Sequence, residues 1–235
     1  MKLTPRLLAI ANKVDKGNIV ADIGTDHGFI PIYLIENNLS PKVIAADINE
    51  GPLDNAKRQI MQKGYNDRIE TRLGNGLDIL TPGEVDTVII AGMGGLLIRD
   101  ILMESLHITQ AVKQFILQPM VAQAELREWL VHHGFEIVDE QLVKEGHKFY
   151  EIITAAIGKQ RIDDEIYYEI GQKLIINRDP LLYEFILKQV QIQKDIMEGL
   201  KDQGSKNAKQ KYSECEKKVL KLEEVLKCLK NVGQS

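Results

Sequence analysis

A short loop in the first part of the chain carries an unusual set of chemical groups. The apolar run Val20–Ile23 leads into Gly24, Thr25, Asp26, His27 and Gly28, and a helix-like stretch follows. Loops that hold nicotinamide or flavin cofactors in this position read G-x-G-x-x-G, because the second glycine lets the backbone touch a pyrophosphate. Asp26 instead places a carboxylate there, which repels a phosphate dianion. The loop therefore favours a ligand that is cationic and has no phosphate.

S-adenosylmethionine has that charge pattern, since it combines a sulfonium cation with a zwitterionic amino-acid group. Asp22 ends the first predicted strand and is placed to receive the ammonium group, directly or through water. Asp47 ends the second predicted strand, 23 residues beyond Gly24, where a carboxylate can accept both ribose hydroxyls. These spacings predict an S-adenosylmethionine site.

Two later segments supply glycines at predicted strand ends. In "LGNGLDIL", Asn75 and Gly76 are expected to border the adenine ring, and "IIAGMGG" brings bare backbone to the carboxyl edge of the sheet through Gly92, Gly94 and Gly95. Open α/β sheets bind ligands at that edge. A tight turn into the next helix, without a functional role, is the alternative interpretation of the second segment.

The elements that position these groups alternate strictly between strands and helices over residues 17–157. Such alternation predicts a mostly parallel sheet of about seven strands with helices on both faces. At its end, two strand-like runs flank "KEGHK", a connection too short for a crossover. The last two strands are therefore expected to pair antiparallel as a hairpin.

The composition changes after residue 158, which divides the chain into predicted domains of residues 1–158 and 159–235. Glycine becomes rare, and apolar residues recur at spacings of three and four in two long segments joined by "KDQGSKNAKQ". This spacing predicts an antiparallel helical hairpin whose two helices pack as a short coiled coil. A dimerisation element and a substrate-gripping arm remain alternative roles for it.

Composition also sets the expected class and compartment. The chain has 235 residues, 44% of them hydrophobic, which is enough to bury a full core. Its two cysteines form no metal or redox motif, the adjacent His132 and His133 lie near no cysteine, and no run resembles a signal peptide or a membrane span. We expect a cytoplasmic globular protein with no metal and no membrane contact.

The motifs "DIGTDHG", "AADIN", "GNGL", "AGMGG" and "LQP", followed by "KFYEIITA" and a heptad-bearing C-terminal arm, resemble one family closely. The chain resembles the bacterial tRNA (adenine-22-N1)-methyltransferases, TrmK, over essentially its whole length. The resemblance implies a class I Rossmann-like methyltransferase domain and a C-terminal coiled-coil domain. It also implies transfer of a methyl group from S-adenosylmethionine to N1 of an adenine in the tRNA D-arm. We expect the protein to be a monomer or weak homodimer.

The resemblance and the spacings together assign candidate residues. The cofactor-binding candidates are Asp22, Gly24, Thr25, Asp26, His27, Gly28, Asp47, Ile48, Asn75, Gly76, Gly92 and Met93. The catalytic candidates are Asp26, His27, Met93, Gln118 and Pro119. Adenine N1 carries a free lone pair and needs no general base, so these residues should act by positioning and by favouring positive charge on the base.

The RNA-binding candidates are Lys2, Arg6, Arg99, Lys206, Lys209 and Lys211, although each lysine could simply be solvated. Phe149 or Tyr150 is a further candidate for stacking on the base. Two rival functions stay open from the residues alone. One is a methyltransferase for a small molecule or protein, and the other is a non-catalytic RNA-binding module of the same fold. A nicotinamide dehydrogenase is disfavoured by the loop and the hairpin.

Overall fold

The computed structural model describes residues 2–203 and 205–232 of the chain. The chain divides into two compact units, Met1–Ile162 and Asp163–Ser235. The strands of the described residues all belong to the first unit: β1 (Val20–Ile23), β2 (Val43–Asp47), β3 (Ile69–Leu73), β4 (Thr87–Met93), β5 (Gln114–Pro119), β6 (Phe135–Glu145) and β7 (Lys148–Ile157). Its helices are α1 (Pro5–Ala11), α2 (Phe29–Glu36), α3 (Glu50–Lys63), α4 (Gly95–Glu104), α5 (Leu106–Thr109) and α6 (Gln123–His132).

The strands form one sheet in the order β3-β2-β1-β4-β5-β7-β6. Strands β1 to β5 run parallel, whereas β7 lies antiparallel to both β5 and β6. The predicted sheet and its terminal hairpin are confirmed. The strand order reverses between β1 and β4, and open α/β sheets bind their ligands at the carboxyl ends of the strands at such a point.

Both faces of the sheet are buried under helices. Successive side chains of a strand point to opposite sides, so each strand contributes apolar residues to both packed layers. Ile23 and Ile90 pack with Leu102 of α4 and Leu126 of α6 on one face. On the other face, Val20, Ile89 and Ile116 pack with Ile10 of α1, Ile32 of α2 and Ile60 of α3. All four residues of β1 are buried. The sheet is therefore a rigid base for whatever stands at its carboxyl edge.

A buried ionic cluster fixes α6 to the terminal hairpin. The Arg127 guanidinium of α6 donates to Glu140 of β6 and to Glu151 of β7, both at 2.6 Å, and the Arg127 side chain is fully buried. Burial alone would lower the pKa of Arg127, but the two carboxylates outweigh it and raise that pKa. Removing one partner would leave uncompensated buried charge.

The second unit is helical, with α7 (Ile166–Ile170), α8 (Gln172–Ile176), α9 (Leu182–Leu200) and α10 (Lys206–Val232). Helices α9 and α10 pack antiparallel. Lys194 of α9 pairs with Glu223 of α10 at 2.8 Å, and Lys230 near the end of α10 lies over the ring of Tyr183 near the start of α9. Among the residues that recur at spacings of three and four, Ile186, Val190, Cys215, Val219, Leu222 and Leu226 are buried, whereas Tyr183 is exposed.

Two local departures in this unit have simple causes. The stretch "DDEIYYEIGQKLIIN" predicts one helix in the sequence, but the structure interrupts it at Gly171, whose φ is 80°. Asp179 followed by Pro180 predicts a helix start at these residues. Helix α9 instead begins at Leu182, because the Asp179 carboxylate accepts a hydrogen bond from the Leu181 N–H in a turn before the helix. Across residues 2–203 and 205–232, no helix has the length and apolar character needed to cross a membrane.

Candidate active site

The loop after β1 is held tightly against the end of β2. The backbone N–H groups of Gly24 and Thr25 both donate to the Ala46 carbonyl, at 2.8 and 2.9 Å. Gly24 has a φ of 79° and Gly28 a φ of 68°, a conformation that side-chain-bearing residues rarely adopt. Gly28 also forms the N-terminal cap of α2. The glycines of this loop are thus required by its turn and by its entry into the helix.

Met93 lies directly over the loop. A Cβ atom at Gly24 would overlap the Met93 methyl group, so the glycine is needed for this close approach. Met93 ends β4 after Gly92, whose φ is 77°, and the pairing of β4 with β5 shifts register between Ala91 and Met93. Such a bulge bends the end of a strand.

Two cavities open at the carboxyl edge of the sheet. The ribose-side cavity, as we name it, has a volume of about 340 Å³ and includes Asp47, Ile48, Asn75, Gly76, Gly92 and Met93 in its lining. All six are predicted cofactor residues. Leu97 and Ile101 of α4 also line it. Neither carries a functional signal in the sequence, because both fall in an ordinary amphipathic helix.

The loop-side cavity, of about 450 Å³, lies on the other side of Gly24, Ala91 and Gly92, which line both spaces. The predicted residues Asp22, Thr25, Asp26 and His27 line it, together with Phe29 and Arg6. The His27 and Phe29 rings stack with centroids 5.2 Å apart. The structure therefore brings the predicted cofactor loop and a flat aromatic pair into one space.

Asp22 is the most strongly perturbed acid in this region. Its side chain is buried, and burial raises its pKa from 3.8 to about 6. The Thr25 hydroxyl beside it opposes this rise, and the negative charge of Asp47 adds to it. The same Thr25 oxygen is buried without a partner at good hydrogen-bonding geometry among the described residues. A carboxylate and a hydroxyl thus lie ready for a polar ligand group.

Asp26 and His27 are more open. Their side chains are 75% and 40% exposed, and Asp26 Oδ2 lies 3.5 Å from His27 Nε2. The distance is too long for a strong hydrogen bond. Both side chains are thus available to a ligand or to a substrate that enters the loop-side cavity.

Gln118 and Pro119 lie behind the cavities. Neither belongs to the lining of the two spaces in the described chain, and the Gln118 side chain is fully buried. Gln118 Oε1 accepts from Arg6 Nη1 at 2.6 Å, and its amide nitrogen donates to the Pro119 carbonyl at 2.9 Å. The Arg6 guanidinium also lies over the Tyr150 ring, 5.3 Å from its centroid.

The predicted RNA-binding residues are spread over both units. Lys2 and Arg99 belong to the first unit, where Arg99 pairs with Asp100 at 2.7 Å. Lys206, Lys209 and Lys211 are exposed near the start of α10, and Lys211 lies 3.6 Å from Glu214. Arg6 differs from the others, because it lines the loop-side cavity.

The sheet, its antiparallel β7 and the acids at the ends of β1 and β2 define the class of Rossmann-like methyltransferases. Comparison with known proteins agrees. A family model described as "Methyltransferase domain" matches residues 3–153. The tRNA (adenine(22)-N(1))-methyltransferase of Bacillus subtilis is 38% identical over 158 residues, which are 67% of this chain and 66% of that enzyme.

Solved structures extend the similarity to both units. The crystal structure of B. subtilis TrmK, an M1A22 tRNA methyltransferase, matches with a TM-score of 0.87 at 32% identity, covering 96% of this chain and 99% of that one. The Streptococcus pneumoniae protein Sp1610 in complex with S-adenosyl-L-methionine matches with a TM-score of 0.86 at 31% identity, covering 96% and 100%. The chain belongs to the tRNA (adenine-22-N1)-methyltransferase family, TrmK.

Proposed function

We propose that this protein transfers a methyl group from S-adenosylmethionine to N1 of the adenine at position 22 of tRNA. The observation that carries the cofactor is the placement of Asp22, next to the last residue of β1, and of Asp47, the last residue of β2, in the two cavities that share Gly24. Support also comes from the activity of the B. subtilis relative and from the ligand of the Sp1610 complex.

The residues present fit this cofactor. Asp47 accepts a hydrogen bond from the Asn49 N–H at 2.8 Å through one oxygen, and its other oxygen is placed for ribose hydroxyls. Ile48, Leu97 and Ile101 give the ribose-side cavity apolar walls for an adenine ring. The Asp22 carboxylate and the Thr25 hydroxyl can satisfy an ammonium group. Buried polar groups without partners are rare in native proteins, which favours a ligand here.

When bound, S-adenosylmethionine supplies an electrophilic methyl group on a sulfonium. The protein need not remove a proton, since adenine N1 has a lone pair in the ring plane. Its task is to hold the base in line and to favour the positive charge that the base acquires. We assign the first role to the stacked His27 and Phe29, and the second to the Asp26 carboxylate, which lines the same cavity.

The substrate must also be gripped while its base leaves the helical stack, which costs a few kcal/mol. We propose that Lys206, Lys209 and Lys211 contact tRNA phosphates, because all three are exposed near the start of α10. The reaction assigns the protein to the cytoplasm, where tRNA is modified. We further propose that it acts as a monomer or weak homodimer.

A methyl-transfer assay tests the proposal. Purified protein, radiolabelled S-adenosylmethionine and bulk tRNA from cells lacking this protein should give labelled N1-methyladenine after nuclease digestion. The Asp47→Ala variant should lose this activity together with cofactor binding, measured by calorimetry. Cofactor binding without label in tRNA would favour a different methyl acceptor, and absence of cofactor binding would reject the proposal altogether.

A further inference from the structure

A short apolar surface stands exposed beside the two cavities. Met120 and Val121 follow β5, and the side chains of both are exposed, that of Val121 by 63%. Leu96 and Leu97, at the start of α4, are exposed as well. The Gly95 N–H donates to the Val121 carbonyl at 2.8 Å and so joins the two segments. We call Leu96, Leu97, Met120 and Val121 the apolar rim. Contiguous exposed apolar surface at the edge of a site marks a surface of interaction.

The apolar rim lies at the end of β4, where the two cavities meet. Pro119, the last residue of β5, is paired with Met93, which lines the ribose-side cavity. The Met120 N–H donates to the Met93 carbonyl at 2.7 Å. A Cβ atom at Gly94 would lie 3.5 Å from a methyl group of Val121. A nucleotide that enters the site at this edge therefore carries its chain neighbours past Val121.

Contact with the cofactor does not account for this exposed turn. In the part of the chain that the structure describes, neither Met120 nor Val121 lines the loop-side or the ribose-side cavity. Their side chains lie outside the space that we assign to S-adenosylmethionine. They face the side from which a methyl acceptor must approach.

The turn that presents Val121 is held rigidly. The Gln118 amide nitrogen lies 3.6 Å from the Met120 sulfur, which adds to the backbone bonds on both sides of the turn. Ala122 follows with a φ of 56°, and such strained backbone persists only where the surrounding structure fixes it, often at functional sites. Valine is also stiff about its own χ1 angle. A tip of this kind has little conformational entropy to lose on contact.

The methyl acceptor offers an apolar space that such a tip fits. When an adenine leaves the helical stack, its neighbours lose their stacking partner, which opposes exposure of the base. Proteins that unstack nucleic acids insert apolar side chains between bases and thereby offset this cost. A wedge of this type has to be apolar, exposed, rigidly held and adjacent to the site that receives the base. The Met120–Val121 turn meets all of these requirements.

We propose that Val121, supported by Met120, enters the base stack of tRNA beside the target adenine and holds the neighbouring bases apart. The occupant of the apolar rim is thus a pair of RNA base faces. Val121 contacts the substrate without touching the reacting atoms, so it assists exposure of the adenine rather than methyl transfer itself. The inference rests on the proposed function for the identity of the methyl acceptor.

Fluorescence of 2-aminopurine tests the inference directly. This base becomes brighter when it leaves a stack, so a transcript that carries it in place of the target adenine should brighten on binding the wild-type protein with S-adenosylhomocysteine. With Val121→Ala the increase should be severalfold smaller. Single-turnover methylation of the unlabelled transcript at saturating protein should slow by about tenfold. Val121→Ile keeps an apolar β-branched tip and should retain both properties.

Val138→Ala is the matched control. It removes the same two methyl groups from an exposed valine of β6 that lines neither cavity, and it should change neither fluorescence nor rate. Calorimetry should give the wild-type S-adenosylmethionine affinity for every variant, which also shows that each one is folded. Weaker cofactor binding by Val121→Ala would overturn the inference and assign the residue to the cofactor site.

The remaining outcomes separate the inference from the proposed function. An unchanged methylation rate in Val121→Ala, or a slower rate with the full fluorescence increase, would overturn the inference and leave the proposed function standing. Methylation by the wild-type protein without any fluorescence increase would do the same. A wild-type protein that binds S-adenosylmethionine but does not methylate tRNA would overturn the proposed function and the inference together.

Discussion

The residue at which function and stability conflict most clearly is Asp22. Burial raises its pKa to about 6, so ionisation of this carboxyl lowers the free energy of unfolding. An acid whose pKa is higher in the folded than in the unfolded state makes a contribution to stability that is fully present below the unfolded-state pKa, here 3.8. That contribution is lost as the pH rises through about 6, the folded-state pKa. The ionised form is nevertheless the one that an ammonium group requires.

The Asp22→Asn variant should therefore be more stable and less functional. Its free energy of unfolding at pH 7 should exceed that of the wild-type protein by up to about 3 kcal/mol, and the difference should vanish near pH 4. Chemical denaturation across this range measures the effect. Asp26→Asn removes the same charge from an exposed side chain and should change stability by less than about 0.5 kcal/mol. A variant of Asp22 that is less stable at pH 7 would contradict this account.

Cofactor affinity should show the complementary pH dependence. Because Asp22 must be ionised to receive the ammonium group, S-adenosylmethionine affinity should fall by up to tenfold for each pH unit below about 6. In Asp22→Asn that decline should be absent, and affinity should be low throughout.

Some features of individual residues could be predicted from the sequence, and others could not. Asp22, Asp47 and the Gly24 turn could be predicted because each depends on local strand and loop chemistry. The hydrogen bond between Arg6 and Gln118 could not, because the two residues lie 112 positions apart in the chain. The Arg6 guanidinium that lies over the Tyr150 ring could not be predicted either. Such contacts depend on tertiary packing, which spacing does not reveal.

At the scale of elements, the connection between β4 and α4 is fixed by the neighbouring β5–α6 turn. The Gly95 N–H donates to the Val121 carbonyl at 2.8 Å, and a Cβ atom at Gly95 would overlap the Ala122 carbonyl. Ala122 itself has a φ of 56°, which costs a residue with a side chain about 1 kcal/mol or more. The sequence predicted a glycine-rich turn here, but not the backbone that approaches it.

Gly95→Ala should consequently destabilise the first unit. The new methyl group meets backbone rather than a movable side chain, so we expect a loss of about 1 to 3 kcal/mol in the free energy of unfolding. Gly51→Ala is the matched control. Gly51 lies in α3 with open space around it, so the same substitution should stabilise the protein by up to about 1 kcal/mol. Equal effects of the two variants would contradict the proposed close approach.

The mostly parallel sheet and its terminal hairpin were predictable at this scale, and some helix bounds were not. Strict alternation of elements and the short "KEGHK" connection leave few possible topologies. The interruption at Gly171 and the late start of α9 depend on a single backbone angle and one side-chain hydrogen bond. Periodicity averages over several residues and does not detect them.

At the scale of the whole molecule, the helical unit should contribute to tRNA binding without changing the affinity for the cofactor. Replacing Lys209 and Lys211 together by Glu should weaken tRNA binding by about tenfold at low salt and make its salt dependence shallower. Electrophoretic mobility shifts at several salt concentrations measure this. S-adenosylmethionine affinity should be unchanged.

A variant with Lys57→Glu and Lys63→Glu carries the same change in net charge on α3 of the first unit. It separates a local contact from a general effect of charge, because long-range attraction should weaken equally in both variants. Similar losses in the two variants would remove the start of α10 from the tRNA-binding model.

The most direct test of the central claim is to map the methylated nucleotide in a defined tRNA. The wild-type protein should convert one adenine, at position 22 of an unmodified transcript, to N1-methyladenine, as judged by mass spectrometry of nuclease fragments. A transcript with guanine at position 22 should remain unmethylated under the same conditions. Methylation at another position, or equal methylation of both transcripts, would contradict the account.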